Sequence, residues 1–403
     1  MNILQISNKA LFPPDGGSLA ILNLANAYAR LNHNVTLLNM VTHKHYNKDS
    51  DIRVLKEKNI ELVGIDVNTK ISVLKLLLNF FFTKRPYTLE RFINQNFSNR
   101  LISLIVQKKW DFIQIEGLYV LFYIDIIRKY YPGKIIYRPH NIESEIWFEN
   151  AKNTRSILKK IYFTVLANRL KKFELKYINS YDVLLPISNT DAHFYTGNGN
   201  IKPMLATPFG VEISQPDSFY SQISKPENTP TILYIGALDW IPNQQGLIWF
   251  IKKCFPLIIN QVSNVELLIA GRNAPKWFVK RLSSNNNIRF VGQIENAYDF
   301  FSIPGPMIVP LFSGSGMRVK IIEAMAFKKA IVSTPKGSEG IDKLNEEKIL
   351  ISNNPLSFAE NVLKLLKNRD LRNSIGNTAH DFVLNEYNIE TIASKAIQFI
   401  NQH

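Results

Sequence analysis

The densest group of residues able to do chemistry is the run Val309-Pro310-Leu311-Phe312-Ser313-Gly314-Ser315-Gly316-Met317-Arg318-Val319-Lys320, which continues through Glu323 to Ala326. An apolar stretch ends in small residues, Ser313 to Gly316, and opens into a helical pattern. Such a junction offers free backbone N–H groups and the positive end of a helix dipole, a ready site for phosphate. Gly314 and Gly316 have no Cβ to hold a ligand off the backbone. Arg318 and Lys320 add two cations at the same end, and Arg can grip phosphate through two parallel hydrogen bonds. The pair therefore suits a diphosphate leaving group. Glu323 lies farther along the helix, where its carboxylate can accept from both hydroxyls of a ribose. Phosphate and ribose ligands at this spacing suit a nucleoside diphosphate carrying a sugar. The plain alternative is a loop that caps the helix and a glutamate on its solvated face.

The elements that must position these residues repeat one pattern. Asn2 to Ser7 reads as a strand, Pro13 to Ser18 as a loop, Leu19 to Leu31 as a helix and Val35 to Met40 as the next strand. In the second half the same order recurs as Thr231 to Gly236, Ala237 to Gln244, Gln245 to Phe255 and Val265 to Ala270. Strands alternating with helices through short loops predict parallel, doubly wound α/β sheets, here two of them. The 403 residues also exceed one small core and suit two domains of roughly 150 to 200 residues. We expect residues 1–206 as a first Rossmann-like domain, 207–230 as a proline-bearing linker and 231–385 as a second such domain. Residues 386–403 are expected as a helix packing back on the first.

With 46% hydrophobic and 20% charged residues, the chain has material for cores and no compositional case for disorder. Cys254 is the only cysteine; it excludes an internal disulfide framework and fits a buried apolar position in a reducing compartment. The greasiest stretch, Ile71 to Phe82, is interrupted by Lys75 and is too short to span a bilayer. Met1 to Ser7 reads as a strand rather than a signal peptide.

Net charge is +15, unevenly spread: residues 1–205 hold 28 of the 48 Lys+Arg and 16 of the 33 Asp+Glu, a net of +12. From Lys152 to Tyr177 a long helical pattern carries apolar positions such as Leu158, Ile161, Leu166 and Leu170 among eight basic residues and a single acid, Glu174. It reads as a helix with one buried and one basic face. Asp49-Ser50-Asp51, near His43 and His45, matches an Asp-x-Asp metal string, but it falls in a polar loop pattern with no convergent ligands, so no metal is expected.

The sequence resembles the retaining family-four glycosyltransferases, whose GT-B fold is two facing Rossmann-like domains. Besides the 309–326 segment, the resemblance rests on Pro13-Pro14-Asp15-Gly16-Gly17, Arg138-Pro139-His140-Asn141-Ile142-Glu143, Leu185-Pro186-Ile187-Ser188 and Phe209-Gly210-Val211. It continues through Ile235 to Asn243 and Val332 to Gly340, in the family's order. What it implies is transfer of a hexosyl or related sugar from a nucleotide sugar to an acceptor hydroxyl with the anomeric configuration kept. The donor would be held mainly by the second domain and the acceptor by the first. Gly16 and Gly17 would approach the donor phosphates or the acceptor, and His140 the transferred sugar. Arg318 and Lys320 would hold the diphosphate, and Glu323 the ribose. Gly271, Arg272, Gly292 and Gln293 follow strands where the family seats the base. There are departures: many members have a glutamate where this chain has Ser315, and Arg and Lys where it has Asp239 and Trp240. Ser315 or the loop N–H groups would then meet the sugar's hydroxyls, with Ser313 among the donor-binding residues, and the cationic role shifts to Arg318 and Lys320.

The resemblance implies no cofactor or metal and no protein nucleophile, because the leaving diphosphate can help deprotonate the acceptor. His140 is also chemically able to act as a base; its plain alternative is a loop histidine bonded to backbone. Expected partners are the nucleotide sugar, a saccharide or lipid-linked acceptor and an anionic membrane surface, met by the basic helix 152–177 and the apolar Leu74 to Phe82 followed by Lys84-Arg85, with a cytoplasmic location at the inner face of the membrane. A basic nucleic-acid-binding protein is the alternative class, but no nucleic acid is expected, since aromatics are not interleaved with the basic residues. A sugar-nucleotide epimerase on the same fold is the third reading.

Overall fold

The segment Asn2–Ser7 forms β1, and with β2 (Asn34–Val41), β3 (Ile60–Asp66), β4 (Phe112–Glu116), β5 (Lys134–Arg138) and β6 (Val183–Leu184) it builds a six-stranded sheet. The order is β3-β2-β1-β4-β5-β6 and every pairing is parallel. Ile3, Leu4, Ile6, Leu37, Leu38, Ile113 and Ile115 are fully buried, as expected of parallel strands covered on both faces. In this computed structural model residues 1–12, 15–154, 156–212, 229–294, 297–314 and 316–403 are described, residues 50 and 51 by their backbone alone.

A second sheet repeats the topology. It consists of β7 (Thr231–Ile235), β8 (Glu266–Ala270), β9 (Ile288–Gly292), β10 (Met307–Val309), β11 (Ile331–Ser333) and β12 (Leu350–Ile351), all parallel, in the order β12-β11-β10-β7-β8-β9. In each sheet the first strand lies beside the fourth, so the chain reverses its direction of travel there. Loops at the carboxyl ends of those two strands diverge and leave a crevice, the usual ligand site of an open α/β sheet. The two sheets are the two Rossmann-like sheets of the GT-B fold class.

The chain divides into a unit of Met1–Glu212 plus Ile389–His403 and a unit of Ile213–Asn388. Of the linker expected over 207–230, residues 213–228 lie outside the described residues. The final helix, Ile389–Gln402, packs on helix Gly16–Arg30, with Ile389, Ala393, Ala396 and Ile400 in one core with Ile21, Leu24 and Tyr28. Gly210 is a glycine for this contact, since a Cβ there would stand 2.7 Å from the Ile389 backbone. Cys254 is fully buried.

Several expected elements are corrected. The helix predicted from Leu19 starts at Gly16, because Asp15 caps it: Ser18 N donates to Asp15 Oδ1 (2.8 Å) and Asp15 N to Ser18 Oγ (2.7 Å). Gly16 and Gly17 therefore sit in a first helical turn rather than a loop. The segment Gln245 to Phe255 is three pieces: helix Ile241–Trp249, a π-helical turn Phe250–Cys254 and helix Phe255–Ile259 containing Pro256. The single helix expected from 152 to 177 is two helices, Glu143–Asn153 and Ile157–Lys176, the second newly capped by Ser156, whose Oγ accepts from Lys159 N. Its expected buried stripe also fails at one end, for Leu158 is 80% exposed and Ile161 52% while Leu166 and Leu170 are buried. Asp49 opens helix Asp49–Glu57 instead of lying in a polar loop.

Candidate active site

In the first unit the crevice between β1 and β4 is a cavity of about 340 Å³. The turn after β1 contributes Asn8 and Lys9, the first turn of helix Gly16–Arg30 contributes Gly16 and Gly17, and the loops after β4 and β5 contribute Tyr119 and His140. Beneath it lies a buried charge pair. Glu116 ends β4 and Arg138 ends β5, opposite each other in register and both 0% exposed. Arg138 Nη1 lies 3.3 Å from Glu116 Oε2, and His140 Nε2 lies 2.6 Å from the same oxygen. Gln5 Nε2 donates to Oε1 at 3.1 Å.

These contacts fix the protonation of the site. Burial pushes the Glu116 carboxyl up, but Arg138 and the hydrogen bond from His140 outweigh it and hold it below its ordinary value. An ionised carboxylate only accepts, so His140 Nε2 must carry the proton and Nδ1 the lone pair. Burial, with Arg138 and Lys9 nearby, lowers the His140 pKa. The cavity thus presents a neutral imidazole able to accept from a substrate hydroxyl. His140 is thus bonded at Nε2 to a carboxylate rather than to backbone.

The rest of the wall is charged as well. Lys9 Nζ pairs with Asp15 at 2.9 Å; although burial opposes ionisation, Lys9, the Ser18 N–H and His45 bring Asp15 down to about 2. Glu143, at the start of helix Glu143–Asn153, accepts from Tyr119 at 2.8 Å and is raised above its usual range by burial. None of Lys9, Glu116 and Arg138 stands in the sequence-derived site.

In the second unit the corresponding reversal lies between β7 and β10. Pro310 O approaches Gly246 so closely that a Cβ there would stand 2.0 Å away, which draws helix Ile241–Trp249 against the end of β10. Arg318 precedes helix Val319–Ala326 as its N-cap residue and is 6% exposed. Its guanidinium carbon lies 5.6 Å from the centre of the Trp240 ring. Gly314, at φ +98°, brings its backbone onto the same ring, and a Cβ there would meet Trp240 at 2.6 Å. Gly314→Ala is therefore expected to cost about 1–3 kcal/mol of stability, read by urea unfolding.

Lys320 Nζ donates to Ile235 O at 3.2 Å and Asn243 Oδ1 at 3.3 Å, and lies 4.8 Å from the Tyr234 ring centre. Burial, then the charge of Arg318, lowers its pKa to about 7. It is only partly charged near neutrality and can take up a proton as an anion arrives. Burial raises Glu323 to about 7 from 4.5. Between those values the native state holds a proton that the unfolded chain has released, so this group's contribution to stability falls as pH rises through the window. Glu323→Gln is expected to raise stability at about pH 8 by roughly 2–3 kcal/mol, with little change at about pH 4, by urea unfolding at both.

Arg318 and Gly314 thus meet at Trp240, Lys320 lies by Tyr234, and Ser313 and Gly316 belong to the same segment of chain. Ser315 lies outside the described residues. Gly271 and Gly292 meet through a 2.8 Å backbone bond, Gly271 N to Gly292 O. Gly271 also packs on Gly236 O, where a Cβ would stand 2.2 Å away, so packing alone requires a glycine there. Gly292 takes a positive φ of 79° with open space around it, and Gln293 is exposed. Arg272 accepts from Leu238 N at its carbonyl, 2.9 Å.

Residues 229–368 match the family model described as glycosyl transferases group 1. The second unit therefore carries a group 1 glycosyltransferase domain. This glycosyltransferase is 25% identical over 407 residues to a 44.6 kDa protein in the cps region of Klebsiella pneumoniae, covering 97% of this chain and 98% of that one. It is also 25% identical over 221 residues to a glycosyltransferase of Methanocaldococcus jannaschii, covering 51% of this chain and 55% of the other. Among solved structures it is similar to sucrose-phosphate synthase from Thermosynechococcus elongatus (TM-score 0.72, 16% identity, 100% of this chain and 98% of that one). A second is Anabaena HepE in complex with UDP (TM-score 0.69, 12% identity, 100% of both chains). Both likenesses bear on the fold, which is GT-B.

Proposed function

We propose that this glycosyltransferase moves a hexosyl or related sugar, with retention, from a nucleoside diphosphate sugar to a hydroxyl of a saccharide or lipid-linked acceptor. The observation that carries this reading is the cationic turn of the second unit, where Arg318 and the glycine backbone meet at the end of β10. In the reaction the acceptor oxygen bonds to the anomeric carbon as the bond from that carbon to the diphosphate breaks. The acceptor's proton passes to the leaving diphosphate, and Arg318 and Lys320 offset the charge that develops there. Glu323 receives the ribose hydroxyls, and Ser315 or the loop N–H groups take up the sugar's hydroxyls, with Ser313 and Gly316 serving the donor. Gly271, Arg272, Gly292 and Gln293 lie toward the base. In the first unit, Gly16, Gly17 and His140 serve the sugar and acceptor.

The cps-region relative supports a role in cell-surface polysaccharide or glycolipid synthesis, with the enzyme cytoplasmic at the inner face of the membrane. Structures of the Anabaena neighbour hold UDP and UDP-glucose, which makes UDP the first nucleotide to try. A ligand that binds only the folded state raises its melting temperature, so the test is a thermal screen of nucleoside diphosphates. One of them is expected to stabilise the wild type and not Arg318→Ala; equal shifts in both would remove the phosphate role from Arg318. Because Arg318 and Lys320 supply the positive charge, turnover is expected to survive EDTA. A loss reversed by Mn²⁺ or Mg²⁺ would show a metal requirement.

A further inference from the structure

Helix Val73–Phe82, sequence VLKLLLNFFF, is turned inside out. Its one buried residue is Asn79, while Val73, Leu74, Phe81 and Phe82 are 68–80% exposed and Leu77 and Leu78 about half exposed. The polar residue holds the helix in this pose. Asn79 Nδ2 donates to Arg85 O (3.1 Å) and Glu90 Oε2 (2.6 Å), and Arg169 Nη1 donates to both Asn79 O and Oδ1 at 3.2 Å. Arg169 Nη2 also donates to Phe80 O at 2.7 Å. Rotating the apolar face inward would break all of these bonds. The outward face is therefore built in, and contiguous exposed apolar surface marks an interaction site.

Two neighbouring features say what covers it. Helix Ile157–Lys176 meets it, Phe80 against Tyr162 at 5.9 Å, and leaves Ile157, Leu158 and Ile161 exposed within about a turn and a half of that contact. Next to the apolar face a groove of about 420 Å³ is lined by Lys84, Arg85, Arg169, Lys172 and Lys176. Its two acids are already engaged, Glu90 by Asn79 and Asp125 by Tyr177 Oη at 2.8 Å. Exposed Lys75, Lys159 and Lys160 lie on the same two helices.

The geometry points to an anionic phospholipid bilayer as the occupant: the apolar side chains enter the acyl boundary and the basic groove takes lipid phosphate. Apolar residues beside a cationic rim, on a helix too short to span, are what such a surface requires. A second copy of the chain would bring the same basic groove against itself, and a nucleic acid would leave the leucines and phenylalanines in water. The inference concerns binding to lipid in the absence of donor and acceptor, so it stands or falls apart from the transfer reaction.

The test is co-sedimentation of the full chain with vesicles of phosphatidylcholine alone or mixed with phosphatidylglycerol. Wild type is expected to bind the anionic vesicles at least about tenfold better, and Phe81→Ser with Phe82→Ser to lose about tenfold. Lys84→Glu with Arg85→Glu is expected to abolish the preference for anionic lipid. These side chains are exposed, so unchanged circular-dichroism melting confirms that the variants fold. Equal or absent binding of wild type to the two vesicles overturns the proposal, as does full binding by the double-serine variant. A wild-type dimer in sedimentation velocity that becomes monomeric in that variant would assign the face to a second copy and overturn it too.

Discussion

Replacing Arg318 with alanine is expected to slow sugar transfer about a hundredfold to a thousandfold at saturating donor, the range for loss of one preorganised donor to developing charge. Arg318 is nearly buried on the Trp240 face beside the Gly314 backbone, so little reorganisation is needed as charge builds on the leaving diphosphate. The same change frees Lys320 of a repelling neighbour, which moves the Lys320 pKa upward and limits the loss. Arg318→Lys keeps the charge but not the two-pronged grip or the flat stack on Trp240, and should recover only part of the rate. Steady-state kinetics with thermal unfolding as a control check both; wild-type turnover by Arg318→Ala would remove it from the chemistry.

Glu116→Gln is expected to cost about 3 kcal/mol or more of stability, because it leaves the Arg138 charge buried without a counter-ion. Since the Glu116 pKa lies below its ordinary 4.5 in the folded chain, the carboxylate's contribution is fully present above that value. It is lost as pH falls through the lowered folded value, so the deficit should narrow below about pH 4. His140 would also lose the carboxylate that holds its Nε2 proton and its ring orientation, so activity should fall beyond any loss of folded protein. Urea unfolding across pH measures the first effect. A difference below about 1 kcal/mol near neutrality would mean that Arg138 is neutralised by another group.

Those two sites differ in how far the sequence reveals them. Arg318, Lys320 and Glu323 lie within six residues of one another, and a strand followed by glycines and cations has a local meaning. Asn2–Ser7 was legible to the residue as a strand because the β-forming Ile3, Leu4 and Ile6 are followed by a glycine-bearing segment and then a helical pattern. Glu116, Arg138 and His140 come from different loops and strands, joined only by the parallel register of β4 with β5. A signal was available: a glutamate closing one apolar strand and an arginine closing the next, both at the carboxyl edge where ligands gather. Gly16 and Gly17 looked like loop residues because glycine disfavours helix, and the Asp15 cap overrode that preference. The apolar Leu74 to Phe82 before Lys84-Arg85 was legible as a membrane-facing segment, but what fixes its direction was not. Periodicity reports where apolar residues lie on a helix, and Asn79 with Arg169 decides which way that face points.

The most direct test of transfer is to incubate the full chain with nucleoside diphosphate hexoses, with and without candidate acceptors, and follow nucleotide release and product anomeric configuration by NMR. The expected result is acceptor-dependent release of the nucleoside diphosphate and a glycoside that keeps the donor's configuration. Conversion of the donor sugar without any acceptor, or a product of inverted configuration, would contradict it.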